Sequence, residues 1–275
     1  MRLFLVRHGE TVDNVAGLYA GLRDSPLTTH GVLQARRLAS HFASRSSSIG
    51  PVTHIFSSDL QRAVNTAQAI VDAQVEKATE KEDSDRPELQ LVQVVELRER
   101  DFRSAEGKRF GTPHPDAETH DEMRARATAF IQAHLGPLLD STSNGDNCKT
   151  NTSVVVVAHG LILNSLLRSL LVRYAPEEMT RLANVKSSSG SVAGRSEFLA
   201  AWSNTGYLEM NVDVIPSSEE TEKSAVRLAV VRVNALDHLQ GVKRTRGGIG
   251  SAKFDSKQKT MDAFFKPAAK RRRVD

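Results

Sequence analysis

Short apolar runs that stop abruptly at polar residues and glycine set the rhythm of this chain. Leu3-Phe4-Leu5-Val6, Thr53-His54-Ile55-Phe56 and Val154-Val155-Val156-Val157-Ala158 each read as a buried strand whose end opens into a loop. Between and after them the apolar spacing turns helical, which predicts helices over residues 28–45, 59–74, 117–139 and 160–174. Strand-like runs return near 198–202, 207–214 and 228–234. Strand-helix alternation of this kind predicts an α/β fold, a three-layer α/β/α sandwich around a mostly parallel sheet. Three stretches break the rhythm. The charge-dense 76–88 reads as a solvated insertion, and 141–151 and 186–196 read as loops.

Composition narrows the setting. With 275 residues and 39% hydrophobic content, the chain can bury one large core. Its one cysteine, Cys148, lies in a polar stretch and excludes an intramolecular disulfide, which suits a reducing compartment. No apolar run approaches the roughly 20 residues of a membrane helix, the first residues read as a strand and not a signal peptide, and no zinc-like Cys/His spacing occurs. The expectation is a soluble intracellular protein without a membrane helix or a zinc site.

Net charge changes the picture more. The formal total is +4, but residues 243–275 hold eleven Lys or Arg against three Asp. That segment carries +8, leaving −4 for the body before it. The basic character therefore belongs to a tail, which argues against sequence-specific nucleic-acid binding by the folded domain. The domain is placed at 1–242 and a disordered basic tail at 243–275.

Candidate chemistry sits where the strands end. The first strand runs into Arg7-His8-Gly9-Glu10, and the third runs into His159-Gly160 and then an apolar helix. Ligands of open α/β sheets bind at such ends. The second strand leads through Ser57-Ser58-Asp59 to Arg62, in the first turn of a helix. Glu96, Glu99, Asp101 and Glu106 cluster in one turn from which a general acid can be drawn, and the residues alone do not say which. Two histidines, two arginines and a carboxylate make a phosphotransfer set. Arginine forks match phosphate oxygens in a bidentate way that lysine cannot, and a neutral imidazole is a competent nucleophile.

Taken together, these motifs resemble the histidine phosphatase superfamily, also called the phosphoglycerate mutase-like family. The resemblance rests on Arg7-His8-Gly9-Glu10-Thr11 with Asn14, and on Asp24-Ser25-Pro26-Leu27-Thr28 with Gly31 and Gln34-Ala35. It extends through Ser57-Ser58-Asp59-Leu60-Gln61-Arg62-Ala63 with Thr66-Ala67, Leu97-Arg98-Glu99 with Glu106-Gly107, and Ala158-His159-Gly160. Asn204-Thr205 and Asp237-His238-Leu239 also look like family features. It implies a phosphoglycerate mutase-like fold and a metal-independent phosphatase working through a phosphohistidine. His8 is then the nucleophile, Arg7, Asn14, Arg62 and His159 hold the phosphoryl group, and Glu99 is the acid and base. The substrate is a small phosphorylated molecule, a sugar phosphate among the choices, or a phosphoprotein. His30, His41, His54, His114, His120 and His134 lack motif context and are expected to be structural or exposed, and His238 is given no catalytic role.

The mutases of the family carry Glu-Arg-x-Tyr-Gly where this chain has Glu99-Arg100-Asp101-Phe102-Arg103, and 111–116 lacks their cluster of basic residues. That difference favours a phosphatase over a mutase-type phosphotransferase. Arg103, in the place of the glycine, leaves the loop geometry open and is a candidate cation for a second anionic group on the substrate.

Two further motifs stand in the tail. Residues 258–265, with Gln258, Met261, Phe264 and Phe265, resemble the PIP box that binds PCNA, the replication sliding clamp. Met261, Phe264 and Phe265 would share one face of a helical turn folded on binding. Residues 267–275, with Lys270, Arg271, Arg272 and Arg273, resemble a nuclear localisation signal read by importin. Their implication is a protein of the nucleus, also present in the cytoplasm. A PCNA-binding adaptor with little activity is the alternative from a different class.

Overall fold

The structure, a computed structural model, describes residues 1–80, 89–143, 151–178, 200–215 and 225–242. Among these residues a six-stranded sheet runs in the order β3-β2-β4-β1-β5-β6, with β1 at Arg2–Arg7, β2 at Val52–Ser58, β3 at Leu91–Val94, β4 at Ser153–Ala158, β5 at Tyr207–Ile215 and β6 at Ala225–Ala235. The first four strands are parallel, and β5 and β6 close one edge in antiparallel fashion. The predicted α/β sandwich is the architecture observed.

Alternation along the central strands builds the two outer layers. Leu3, Leu5, Val154 and Val156 point to one face, packing with Phe130 of α5 (His120–Phe130) and Leu163 and Leu166 of α7 (Gly160–Tyr174). Phe4, Val6, Val155 and Val157 point to the other, against Leu38 and Phe42 of α2 (Thr29–Ser44) and Ile70 of α4 (Gln61–Glu80). Strands buried on both faces read as continuous apolar runs, which is why these were legible. Two shorter helices complete the early chain, α1 at Val12–Ala16 and α3 at Ser46–Ile49.

Register fixes the site. Arg7 of β1 is the partner of Ala158 of β4, so the residues that follow, His8 and His159, leave the sheet side by side.

Four expectations need correction. The 117–139 helix is interrupted. After α5 the chain widens into a π turn at Ile131–Leu135 before α6 (Gly136–Ser143). Pro137 gives the reason, since its ring would collide with the carbonyl four residues back and cannot donate a hydrogen bond. Residues 76–80, expected in a solvated insertion, belong to α4, and 81–88 lie outside the described residues. Likewise residues 141–143, expected in a loop, belong to α6.

The strand expected at 198–202 is not one over its described part. Its hydrogen bonds go elsewhere: Ala200 N donates to Asn164 Oδ1 at 2.9 Å, and the Trp202 carbonyl accepts from Arg7 at 2.6 Å. Residues 186–196, Cys148 and the whole 243–275 tail, with the PIP-box and nuclear-signal motifs, lie outside the described residues.

Candidate active site

The loop after β1 is clamped so that His8 can point only one way. Thr205, at φ 56°, donates its N–H to the carbonyls of Arg7 and His8 at 3.1 and 3.2 Å, and Asn204 Nδ2 donates to the His8 carbonyl at 3.2 Å. Gly9 N donates to Thr66 Oγ1 at 3.0 Å, joining the loop to α4. The loop also touches α2, where Gly31 lies so close that an added Cβ would sit 2.0 Å from the Glu10 carbonyl oxygen. A side chain at that position would push the His8 loop away.

His8 is buried, and its Nδ1–H donates to the Gly9 carbonyl at 2.7 Å. This bond assigns the proton to Nδ1 and leaves the Nε2 lone pair free. Burial, then the positive charges of Arg62 and Arg7, hold His8 well below the ordinary histidine pKa of 6.5.

His159, fully buried at the N-cap of α7, carries the opposite tautomer. Arg62 Nε donates to its Nδ1 at 3.2 Å, so its proton sits on Nε2, which is buried without a hydrogen-bond partner among the described residues. Burial and the neighbouring charges of Arg62, His8 and Arg7 hold it, too, well below 6.5. The two rings lie 5.1 Å apart, centroid to centroid.

Both arginines are anchored and still have donors to give. Arg62, 1% exposed, donates to the carbonyls of Arg23 and Gly21, each at 2.7 Å, as well as to His159. Arg7 donates to the Trp202 carbonyl, and its Nε has no partner among the described residues. Desolvation lowers the Arg7 pKa to about 10, leaving it charged at neutral pH. Asn14, in the first turn of α1, accepts at Oδ1 from Thr11 N at 3.2 Å and Asn204 Nδ2 at 2.9 Å. Its amide NH2 is therefore what it can offer an anion.

Of the four carboxylates weighed for the acid role, Glu99 is the one lining the cavity of about 430 Å³ that His8, Arg7, Arg62 and Asn14 also line. Its oxygens accept from the N–H groups of Arg100, Leu161 and Ile162 at 2.9, 3.3 and 3.3 Å, so the first turn of α7 orients it. Glu106 instead accepts from Leu22 N at 2.7 Å and braces the Gly21 loop, while Glu96 and Asp101 face a neighbouring cavity. His159, hydrogen-bonded to Arg62 and beside the His8 ring, is fully buried and is not among the residues lining this cavity.

Arg103 lies beside the site and not in it. At φ 45° it holds a left-handed backbone that glycine would adopt without strain, at a cost of about 1 kcal/mol. Its side chain lines the neighbouring cavity and not the one holding His8. Arg100 and His114 line the latter instead, and neither was singled out from sequence. Thr205 and His238, from the two family-like segments late in the chain, support the His8 loop and do not line the cavity. His238 donates from Nε2 to Thr205 Oγ1 at 2.9 Å, because the Thr205 hydroxyl is spent on the Asn204 carbonyl.

No group of three or more His, Cys, Asp or Glu side chains able to hold a metal ion occurs among the described residues, nor does a helix long and apolar enough to cross a membrane.

Comparison with known proteins agrees with this geometry. The histidine phosphatase superfamily (branch 1) profile matches residues 3–205. A Schizosaccharomyces pombe protein named a probable phosphatase is 29% identical over 272 residues, covering 94% of this chain and 78% of its own. A Yersinia pestis protein named a probable phosphoglycerate mutase is 29% identical over 248 residues, covering 87% and 99%. Among solved structures, a mycobacterial glucosyl-3-phosphoglycerate phosphatase in complex with VO3 superposes at a TM-score of 0.57 with 20% identity, over 86% of this chain and 99% of its own, which shows the shared fold. The chain belongs to the histidine phosphatase superfamily, branch 1.

Proposed function

We propose that this enzyme hydrolyses phosphate monoesters through a phosphohistidine on His8. One observation carries the reading: two buried neutral histidines in opposite tautomers stand side by side, one offering a lone pair and the other an N–H, between two buried arginines with donors to spare. Bound phosphate would take the Arg7, Arg62, Asn14 and His159 donors on its oxygens, neutralising the charge that repels a nucleophile. His8 Nε2 attacks phosphorus, forming the P–N bond as the P–O ester bond breaks. Glu99 gives its proton to the leaving oxygen. Water then attacks the phosphohistidine and loses its proton to Glu99, releasing phosphate and restoring the acid.

Hydrolysis is favoured over mutase transfer by the acid loop. Phe102 places an apolar ring where the mutases have a tyrosine hydroxyl, packed with Ala105, Ala117, Tyr19 and Leu161. Purified protein in excess EDTA should turn over a generic phosphate ester, and His8→Ala should abolish turnover. Turnover by His8→Ala at the wild-type rate would refute the assignment.

The same proposal extends to the tail. The motif at Gln258, Met261, Phe264 and Phe265 supports docking on PCNA, and Lys270, Arg271, Arg272 and Arg273 support importin recognition and a nuclear location. A peptide of residues 258–266 should bind PCNA and lose binding on Phe264→Ala with Phe265→Ala. Equal binding by both peptides would remove the clamp from the account.

A further inference from the structure

Beyond the phosphate cage, the cavity has a wall that phosphoryl transfer does not explain. Tyr19, Phe102, Phe110 and His114 pack ring against ring, with centroids of Tyr19 4.4 Å from Phe102, 4.6 Å from Phe110 and 5.3 Å from His114. All four line the cavity that holds His8. Phe110 is 42% exposed, an apolar ring at the rim of an open site.

The wall is built to stay in place. Segments around Leu18 and Arg109 pair as a short antiparallel ladder: Gly107 N donates to the Tyr19 carbonyl at 2.8 Å, Tyr19 N to the Lys108 carbonyl at 2.9 Å, and Phe110 N to the Gly17 carbonyl at 3.0 Å. Gly111 N donates to the Tyr19 hydroxyl at 3.1 Å, which fixes the ring's far end. One cation joins the wall. The Arg100 guanidinium lies 5.6 Å from the Phe102 ring centre, tied by its Nε to the Glu118 carbonyl at 2.6 Å. His114 is oriented by its Nδ1–H, which donates to the Thr112 carbonyl at 3.0 Å.

Pre-ordered aromatic faces with a single stacked guanidinium are complementary to a flat π system, and a poor match for a highly hydroxylated or polyanionic group. We infer that the preferred substrate is a phosphate monoester whose alcohol part carries an aromatic ring, seated against Tyr19, Phe102 and Phe110 while the phosphate occupies the His8 cage. This inference rests on the phosphatase reading and specifies its substrate class.

Matched pairs of esters test it, because each pair shares a primary alkyl leaving group and one member of each carries an aromatic ring that the other lacks. Benzyl phosphate is compared with cyclohexylmethyl phosphate, and adenosine 5′-monophosphate with ribose 5-phosphate, in kcat/KM. The aromatic member of at least one pair should win by about two- to tenfold, the range of one stacking contact. Which pair shows the gain separates a benzyl-type from a nucleoside ring. Phe110→Ala, at the exposed rim, should shrink that ratio toward one, and Phe110→Trp should keep it. No preference in either pair, or a preference that Phe110→Ala leaves intact, would overturn the inference. If none of the four esters is hydrolysed and none labels the protein, the phosphatase reading itself has failed, a different result from hydrolysis without preference.

Discussion

Arg62 donates from Nε to His159 Nδ1 at 3.2 Å, and this one bond turns the buried His159 Nε2 into a proton donor beside His8. An arginine expected to bind phosphate thus also sets the tautomer of its neighbour. Lysine in its place would keep a positive charge but lose the fork that reaches His159 and the carbonyls of Gly21 and Arg23 together. Arg62→Lys should lower kcat/KM by about 100-fold, the loss typical of one preorganised donor to a developing charge. A loss under threefold in steady-state assays would show that the tether does nothing.

The tautomers can be read directly. Burial and flanking cations hold both His8 and His159 well below 6.5. Long-range 1H–15N spectra at pH 6.5 should therefore show both rings neutral, with the proton on Nδ1 in His8 and on Nε2 in His159. An imidazolium pattern at that pH, or the same tautomer in both, would contradict the assignment.

Stability should depend on pH through His238. Burial lowers its pKa to about 4 from the ordinary 6.5, so between those values the unfolded chain binds a proton that the folded chain does not. Folding stability contributed by this group is intact above pH 6.5 and is lost as pH falls toward 4. The full effect is at most about 3 kcal/mol. Urea melts of wild type and His238→Asn at pH 7 and 4.5 should show the smaller fall in the variant. Equal falls would mean that His238 is not the titrating group.

Gly31→Ala tests the loop clamp. Its Cβ would meet the Glu10 carbonyl oxygen at 2.0 Å, backbone against backbone, where no flexible side chain can give way. A loss of about 1–3 kcal/mol in stability is expected, with a lower kcat because the His8 loop must shift. Wild-type Tm and kcat together would show that the contact is not tight.

Central strands, main helices and strand-end histidines were legible because each has a local signature: Val154 to Val157 is apolar at every position, and Thr28 caps α2 through Gly31 N at 2.9 Å. The β3 edge strand was missed because only four residues long and with exposed Val92 and Gln93 it lacks such a run. Residues 200–202 looked like a strand because Trp202 and its neighbours are apolar, but their partners, Asn164 and Arg7, are side chains distant in sequence. The aromatic wall was invisible for the same reason. Tyr19 and Phe110 are 91 positions apart and meet only through the Leu18–Arg109 pairing. Glu99 could not be chosen from its neighbours without the family pattern, since what sets it apart is the start of α7, more than 60 residues later.

The phosphohistidine is the account's central claim, and rapid acid-free quenching of wild type with a 32P-labelled ester tests it most directly. The account predicts a transient labelled protein whose label survives alkali, is lost in acid, and never forms in His8→Ala. Phosphate release with no labelled protein at any time, or an acid-stable label that persists in His8→Ala, would contradict it.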